Sequence, residues 1–214
     1  MSINYIYKYF PFISKYKYSQ LKIDDIGMYS ISTPKNADII SKVIKKNFFA
    51  QNIIVTDAMA GVGGNTLSFS SNFYFVNAIE YDTRRFGYLV SNLNLYSKEN
   101  VLCIKGDYMD LMHKIFQDVI FIDPPWGGKS YKDFEEISLE INGQTLESIC
   151  EEIRNANLCK MIVLKLPLNY NLDKFSPELK EFMQVEELKK MMIIVFLIKI
   201  NQTNQINLFY SSSS

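Results

Sequence analysis

From Ile53 onward, short apolar runs alternate with amphipathic stretches, the pattern of a mainly parallel sheet covered by helices on both faces. The runs predict strands over Asn52–Asp57, Tyr74–Glu80, Val101–Lys105, Val119–Asp123 and Cys159–Leu166, separated by helices over Thr83–Tyr96, Thr145–Asn155 and Ser176–Met183. Three β-rich segments follow at Val185–Lys190, Met192–Ile200 and Ile206–Tyr210. The spacing between Met192 and Tyr210 predicts a hairpin, so the sheet is expected to end in an antiparallel pair. The expected fold is α/β, a mostly parallel seven-stranded sheet with a short helical N-terminal extension. Residues 1–50 are read as that extension, 51–210 as the main domain and the serines 211–214 as a frayed tail.

The extension is basic and aromatic. Lys8, Lys15, Lys17, Lys22, Lys35, Lys42, Lys45 and Lys46 face only Asp24, Asp25 and Asp38, and Tyr5, Tyr7, Tyr9, Phe10, Phe12, Tyr16 and Tyr18 interleave with them. Such a composition suits phosphate contact beside stacking surfaces. A helix whose aromatics dock on the domain while its lysines meet water explains any single residue of the set more simply. The segment is therefore expected to cap the site with few direct ligand contacts.

Charge and composition narrow the chemistry. In 214 residues, 23 Lys+Arg balance 23 Asp+Glu, which argues against holding long nucleic acid by charge alone. The odd cysteines Cys103, Cys150 and Cys159 form no C-x-x-C pair and suggest neither a disulfide framework nor a zinc ribbon. A single histidine, His113, leaves little material for His-based metal sites or Ser/His/Asp relays. No metal is expected. The longest apolar stretch, Met191–Ile198, falls far short of the ~18 residues a membrane span requires, so no membrane association is expected. A soluble monomer is.

The run from Asp57 through Gly61, Gly63, Asn65 and Thr66 follows Ile-Ile-Val and precedes an expected helix, the context of a nucleotide-binding turn. Its spacing is not G-x-G-x-x-G. An acid at the end of the first strand suits a ligand with a cationic amino group better than one with a pyrophosphate, which favours S-adenosyl-L-methionine over NAD. Glu80 ends the second strand 23 positions later, near the offset at which a carboxylate accepts from a ribose diol, with Asp82 as competitor. Asp107, after the third strand, stands where it would accept from an adenine amine. Each acid alone is explained as a solvated strand end; three in order behind a glycine turn are not.

Asp123-Pro124-Pro125-Trp126-Gly127-Gly128 follows the apolar run Val119–Ile122. Two prolines remove two N–H donors and hold the chain extended, leaving carbonyls as a rigid acceptor rim. A planar amine against Trp126 would donate to the Asp123 carboxylate and the Pro124 carbonyl. A tryptophan plugging a core edge is the structural alternative. Function is favoured because ligands of open α/β sheets collect at the strands' C-terminal ends.

These residues carry a resemblance. Asp57–Thr66 and Glu80 resemble the cofactor motifs of class I S-adenosylmethionine-dependent methyltransferases, and Asp123–Trp126 resembles the signature of amino-group methyltransferases. The longer Asp-Pro-Pro-Trp-Gly-Gly, with Ala58-x-x-Gly61-Val-Gly-Gly-Asn-Thr66 and Tyr29-Ser-Ile-Ser-Thr33-Pro34, is similar to the trimethylguanosine synthase family over about residues 9–197. The resemblance implies a Rossmann-like methyltransferase fold and an RNA cap guanosine-N2 methyltransferase that converts 7-methylguanosine caps to their 2,7 and 2,2,7 forms. It implies that Trp126 stacks on the methylated guanine, that Asp123 and Pro124 accept from its exocyclic amine, and that Ser30 and Thr33 join Asp57, Gly61, Gly63, Asn65, Thr66, Glu80 and Asp107 in the cofactor pocket. Tyr131 matches a family tyrosine that contacts cap phosphates.

The chain departs from the pattern where the family shows Leu-Pro-Arg-Asn and this sequence has Leu166-Pro167-Leu168-Asn169. Lys165, Lys129 or the basic N-terminus is expected to replace the missing arginine, and Lys165 and Asn169 complete the expected substrate set. The family's adenine-stacking Phe falls near Phe12 or Ile13. Capped RNA is the implied partner and the nucleus the implied compartment, with the cytoplasm as alternative. Two other readings stay open: an amino methyltransferase acting on adenine N6 or unmodified guanine, and a non-catalytic cap-binding module.

Overall fold

The computed structural model describes residue 6 and residues 8–48 and 50–199. Three helices, α1 (Lys15–Tyr18), α2 (Asp25–Ser30) and α3 (Pro34–Asn47), precede the sheet. There follow β1 (Ile54–Asp57), α4 (Gly64–Asn72), β2 (Phe75–Glu80), α5 (Thr83–Leu95), β3 (Val101–Lys105), α6 (Tyr108–Leu111) and β4 (Val119–Ile122). A short 3-10 turn at Gly128–Asp133 leads to a two-stranded hairpin, β5 (Glu140–Ile141) and β6 (Gln144–Thr145). The chain closes with α7 (Leu146–Asn155), β7 (Met161–Leu166), α8 (Pro177–Lys180), β8 (Met183–Leu188) and β9 (Met191–Leu197).

The sheet order is β3-β2-β1-β4-β7-β9-β8. The first five strands run parallel, and β9 lies antiparallel between β7 and β8. This is the expected Rossmann-like arrangement, and its strand order reverses between β1 and β4, where open α/β sheets bind ligands. The sheet ends in an antiparallel pair, as expected, and it is formed by β8 and β9. Met183–Leu188 pairs with Met191–Leu197, whereas the Met192–Tyr210 hairpin needs Ile206–Tyr210, which lies outside the described residues. The helix expected over Ser176–Met183 stops at Lys180, because Met183 already belongs to the edge strand.

Side-chain parity in β4 sorts the core. Val119 and Phe121 pack on one face with Val55, Val163, Ile40 and Ile44, while Ile120 and Ile122 pack on the other with Ile162, Leu164, Leu146 and Ile149. Ile40, Val43 and Ile44 come from α3, so this part of the expected N-terminal cap is a structural layer of the sheet. Its apolar stripe at i, i+3, i+4 leaves it nowhere else to go. The remainder of the extension docks on α5: Tyr9, Phe10 and Tyr18 are buried with Leu89 and Leu93, and Asn92 donates to the carbonyls of Lys22 and Val62. Three of the aromatics are thus core, while Phe12 and Tyr16 remain exposed. Among the described residues no helix is long and apolar enough to cross a membrane.

Candidate functional site

The chain leaves β1 at Asp57 and turns through Gly61 and Gly63 into α4. Gly63 holds φ at +102°, where a side chain is strained. Gly64 is kept small by contact, since a Cβ there would lie 2.5 Å from Ile31 Cγ1 and 2.9 Å from the Ser32 carbonyl. Gly64→Ala is therefore expected to destabilise the protein by ~1–3 kcal/mol through overpacking and to loosen the α2–α3 connection, measured as a lower urea midpoint with increased proteolysis before Pro34.

Asp57 is fully buried. Thr66 Oγ1 donates to its Oδ2 at 2.6 Å, while Oδ1 has no partner. Burial, and after it the nearby Asp123 and Glu80 carboxylates, push its pKa up to about 7, against the pull of the Thr66 hydroxyl. Asn65 Oδ1 and Ser32 Oγ are likewise buried without partners, and both flank the same turn. Two acceptor oxygens, one on a carboxylate, and a hydroxyl that also accepts form a set that an ammonium with three N–H donors satisfies. The turn thus fits the amino-acid end of S-adenosylmethionine.

The other expected cofactor residues are more engaged. Glu80 Oε2 accepts from the Gly61 amide at 2.8 Å and Oε1 from the Asp82 amide at 2.9 Å, with Arg85 at 3.5 Å. Glu80 therefore clamps the glycine turn to the start of α5, and capacity for a further donor remains because a carboxylate offers about four acceptor sites. Asp107 caps α6 through the Met109 amide and takes the Asn142 amide on its other oxygen. Thr33 caps α3. Ser30, expected in the pocket, is exposed and donates to the Ile26 carbonyl one turn back; the neighbouring Ser32 is the buried serine. Phe12 is exposed, its ring 5.8 Å from Tyr18.

Beyond β4, Pro124 is buried and Pro125 exposed. Trp126 is partly buried, with Tyr131 edge-on at 5.2 Å between ring centroids, and its Nε1 is buried without a partner. Tyr29 donates to the Gly128 carbonyl at 2.6 Å, tying the extension to this loop. Trp126 and Tyr131 line a cleft of about 360 Å³ with Pro125, Ser130, Leu139 and Glu140. The ring is thus accessible from the cleft.

Two expected substrate contacts are turned elsewhere. Asn169 donates to the Tyr131 and Phe134 carbonyls at 2.8 and 2.9 Å, so it braces the loop from behind. Lys165, expected on a phosphate, is buried with its ammonium on Asp123 Oδ2 at 2.6 Å. Strand parity accounts for this, since Asp57 ends β1, Asp123 follows β4 and Lys165 is the penultimate residue of β7, all three at the parity of Val55, Phe121 and Val163 on adjacent strands. Burial raises the Asp123 pKa and Lys165 opposes the rise. Leu168, at the place of the family's arginine, is exposed. Sequence reasoning missed the Lys165 pairing, Ser32 and the Tyr29 tie. A lone charge in Met-Ile-Val-Leu-Lys-Leu, at the parity of Asp123, was a usable signal for the first.

A family model described as RNA cap guanine-N2 methyltransferase matches residues 52–212. The chain is 33% identical over 211 residues to a protein of Acanthamoeba polyphaga mimivirus named uncharacterized protein L320, covering 87% of this chain and 82% of that one. It is 30% identical over 138 residues to the trimethylguanosine synthase of Schizosaccharomyces pombe, covering 61% of this chain and 56% of that protein. With the trimethylguanosine synthase of Saccharomyces cerevisiae it shares 24% over 179 residues, covering 80% and 53%. The chain thus spans just over half the length of either synthase. Among solved structures, a delta-N METTL16 MTase domain superposes with a TM-score of 0.57 at 18% identity, covering 84% of this chain and 90% of that one. A precorrin-6y C5,15-methyltransferase from Geobacter metallireducens superposes with a TM-score of 0.57 at 15% identity, covering 85% and 95%.

Proposed function

The chain belongs to the RNA cap guanine-N2 methyltransferase family and is an S-adenosylmethionine-dependent methyltransferase; on that premise we propose that it methylates the exocyclic N2 of 7-methylguanosine caps, giving the 2,7-dimethyl and 2,2,7-trimethyl forms. The observation that carries the reading is that one ammonium, that of Lys165, lies 2.6 Å from Asp123 Oδ2 and 5.3 Å from the Trp126 ring centroid, which brings the strand-end carboxylate close to an indole that lines the cleft. Bound S-adenosylmethionine supplies a sulfonium methyl that is already electrophilic. The chain's own residues have to hold and orient an amine. In this reading Asp57, Asn65 and Ser32 hold the cofactor's amino-acid end, while Gly61, Thr66 and Glu80 fix the turn that shapes the pocket. Asp123 and the Pro124 carbonyl accept the amine's hydrogens and leave its lone pair facing the methyl. Alignment of this kind contributes several kcal/mol, within the ~7–11 kcal/mol available to orientation. Proton loss to water completes the transfer, so no strong base is needed.

A 7-methylguanine is cationic, and an indole face attracts it by on the order of 0.5–2 kcal/mol beyond stacking. The cleft that Trp126 enters also carries Glu136 and Glu140, a charge that suits a cationic base better than a phosphate chain. Capped RNA is accordingly held at the base, against Trp126 and Tyr131, and the nucleus is the compartment this reading assigns. The methyltransferase unit is assigned to 51–210, with α3 as an added layer of its core.

Incubation with 7-methyl-GTP and S-adenosylmethionine followed by mass spectrometry of the nucleoside tests the proposal. The expected product is 2,7-dimethyl- or 2,2,7-trimethylguanosine, with GTP turned over roughly 2–30-fold less well, the ratio that the cation–π difference supplies. Equal turnover of GTP, or methylation of an adenine nucleotide in its place, would sink it.

A further inference from the structure

Lys165 is the single charged residue of β7, in the stretch Met161–Leu166. Its side chain is 5% exposed and that of Asp123 14%, with 2.6 Å between Nζ and Oδ2. The same ammonium lies 5.3 Å from the Trp126 ring centroid, and neither Lys165 nor Asp123 is among the residues lining the cleft, which Trp126 joins to them. Among the described residues Asp123 Oδ1 takes no hydrogen bond, so the carboxylate has one oxygen fixed from inside the sheet and one left over. The charged groups around Asp123 are Lys165 from β7 and Asp57 from β1, itself under the influence of Glu80 from β2.

A buried carboxylate beside a second one takes up a proton unless a cation faces it. A protonated Asp123 would donate to an amine, or reject it, where the reaction needs an acceptor. We propose that Lys165 is a positioning residue for the substrate amine: it keeps Asp123 ionised and turns Oδ2 inward, so that Oδ1 is the acceptor the amine meets. This rests on the cap-methyltransferase reading for the identity of the amine, although the ion pair itself does not. The pairing also cancels the charge that would otherwise stand against the indole. A lone ammonium beside Trp126 would repel a cationic base; an ammonium neutralised by Asp123 does not.

Trp126 is the chain's only tryptophan, so its emission reports the protonation state of this corner in the protein without ligands. Emission is followed against pH in the wild type, Lys165→Met, Lys165→Arg and the double variant Asp123→Asn/Lys165→Met. The acid step of Asp123 is expected to move up by about one pH unit or more in Lys165→Met, to stay at the wild-type midpoint in Lys165→Arg, and to be lost in the double variant, which keeps only the step of Asp57. The acid limb of kcat/KM on 7-methyl-GTP is expected to move with it, about tenfold in rate at one unit below the new midpoint. Should Lys165→Met fail to fold, Lys165→Gln reads the same midpoint, since it retains a donor for Oδ2 and removes only the charge. An unmoved midpoint in the neutral variant overturns the proposal whatever the activity. A moved midpoint in a protein that methylates no cap analogue upholds the charge pairing and sinks the cap reading.

Discussion

Trp126→Ala is expected to abolish methyl transfer to 7-methyl-GTP while leaving S-adenosylmethionine binding within a few-fold of wild type. The ring meets Tyr131 edge-on, lies against the Lys165 ammonium and opens on the cleft, so truncation removes the surface on which a base would lie. Loss of base–aromatic stacking costs ~1–3 kcal/mol by alanine substitution. The amine then no longer faces Asp123 Oδ1 and Pro124, and a misplacement of ~1 Å costs about a further 10²-fold. Together these amount to a fall in kcat/KM on the order of 10³-fold or more. Radiolabelled methyl transfer measures the loss, and calorimetry with the cofactor supplies the control, because the Asp57 turn lies on a different strand. Trp126 is only partly buried where it packs against the core beneath, so a thermal melt should show only a modest loss of stability. Full activity in the variant would refute the stacking role. Equal loss of cofactor binding would move Trp126 from the substrate to the scaffold.

Much of this site is legible from parity and punctuation. The five parallel strands were readable because each is an apolar run ending in a charged, proline or glycine break: Asp57 closes β1, Glu80 closes β2 and Asp123 with two prolines closes β4. The side chains that end these strands fall at the sheet edge where ligands bind, without any knowledge of packing. The pairing of β8 with β9 escapes the sequence reading for a physical reason. Val185–Lys190 and Met192–Ile200 read as separate strands, but the two lysines at 189 and 190 make the turn, and that pairing satisfies the sheet edge locally. The role of Pro34–Asn47 was hidden because its lysines dominate the composition, while its burial depends on Ile40, Val43 and Ile44 at helical spacing.

Where side chains reach outside their own element, the sequence was less informative. Asn169 and Lys165 were assigned outward because they adjoin the family's phosphate-binding position, yet Asn169 is spent on two carbonyls of the 131–134 loop and Lys165 on Asp123. Strand alternation alone would have turned Lys165 toward the face of Val163. The Asn142 contact to Asp107 and the Arg85 contact to Glu80 bridge 35 and five residues respectively, and nothing in local pattern marks the longer one. A site assembled from strand ends is thus read well by position, whereas its polar partners depend on how the loops close over it.

Asp57→Asn is expected to stabilise the protein without ligand at pH 8 while weakening cofactor binding by on the order of 10²-fold or more. The folded-state pKa stands at about 7, raised chiefly by burial from the 3.8 of an ordinary aspartate. A carboxyl shifted upward stabilises the fold at acid pH, fully below about 4, and that contribution is lost as pH rises through about 7. The shift of roughly 3 units, at 1.36 kcal/mol each, makes the full penalty on the order of 4 kcal/mol. Asparagine cannot ionise, so the variant's stability should be nearly flat over that range and should exceed the wild type's at pH 8, as thermal melts at pH 5 and pH 8 would measure. Cofactor binding should respond in the opposite sense. An ammonium at Oδ1 requires the ionised carboxylate, so wild-type affinity should fall up to tenfold per pH unit below about 7, and the variant should show no such slope. Removing one partner of a buried charge pair costs ~3–5 kcal/mol, which sets the size of the loss. A residue serving only the fold would move stability and binding together; stability that rises while affinity collapses identifies a carboxylate kept buried for its ligand. If Asp57→Asn binds S-adenosylmethionine with the wild-type pH dependence, the assignment of the orphaned Oδ1 to the cofactor's ammonium is wrong.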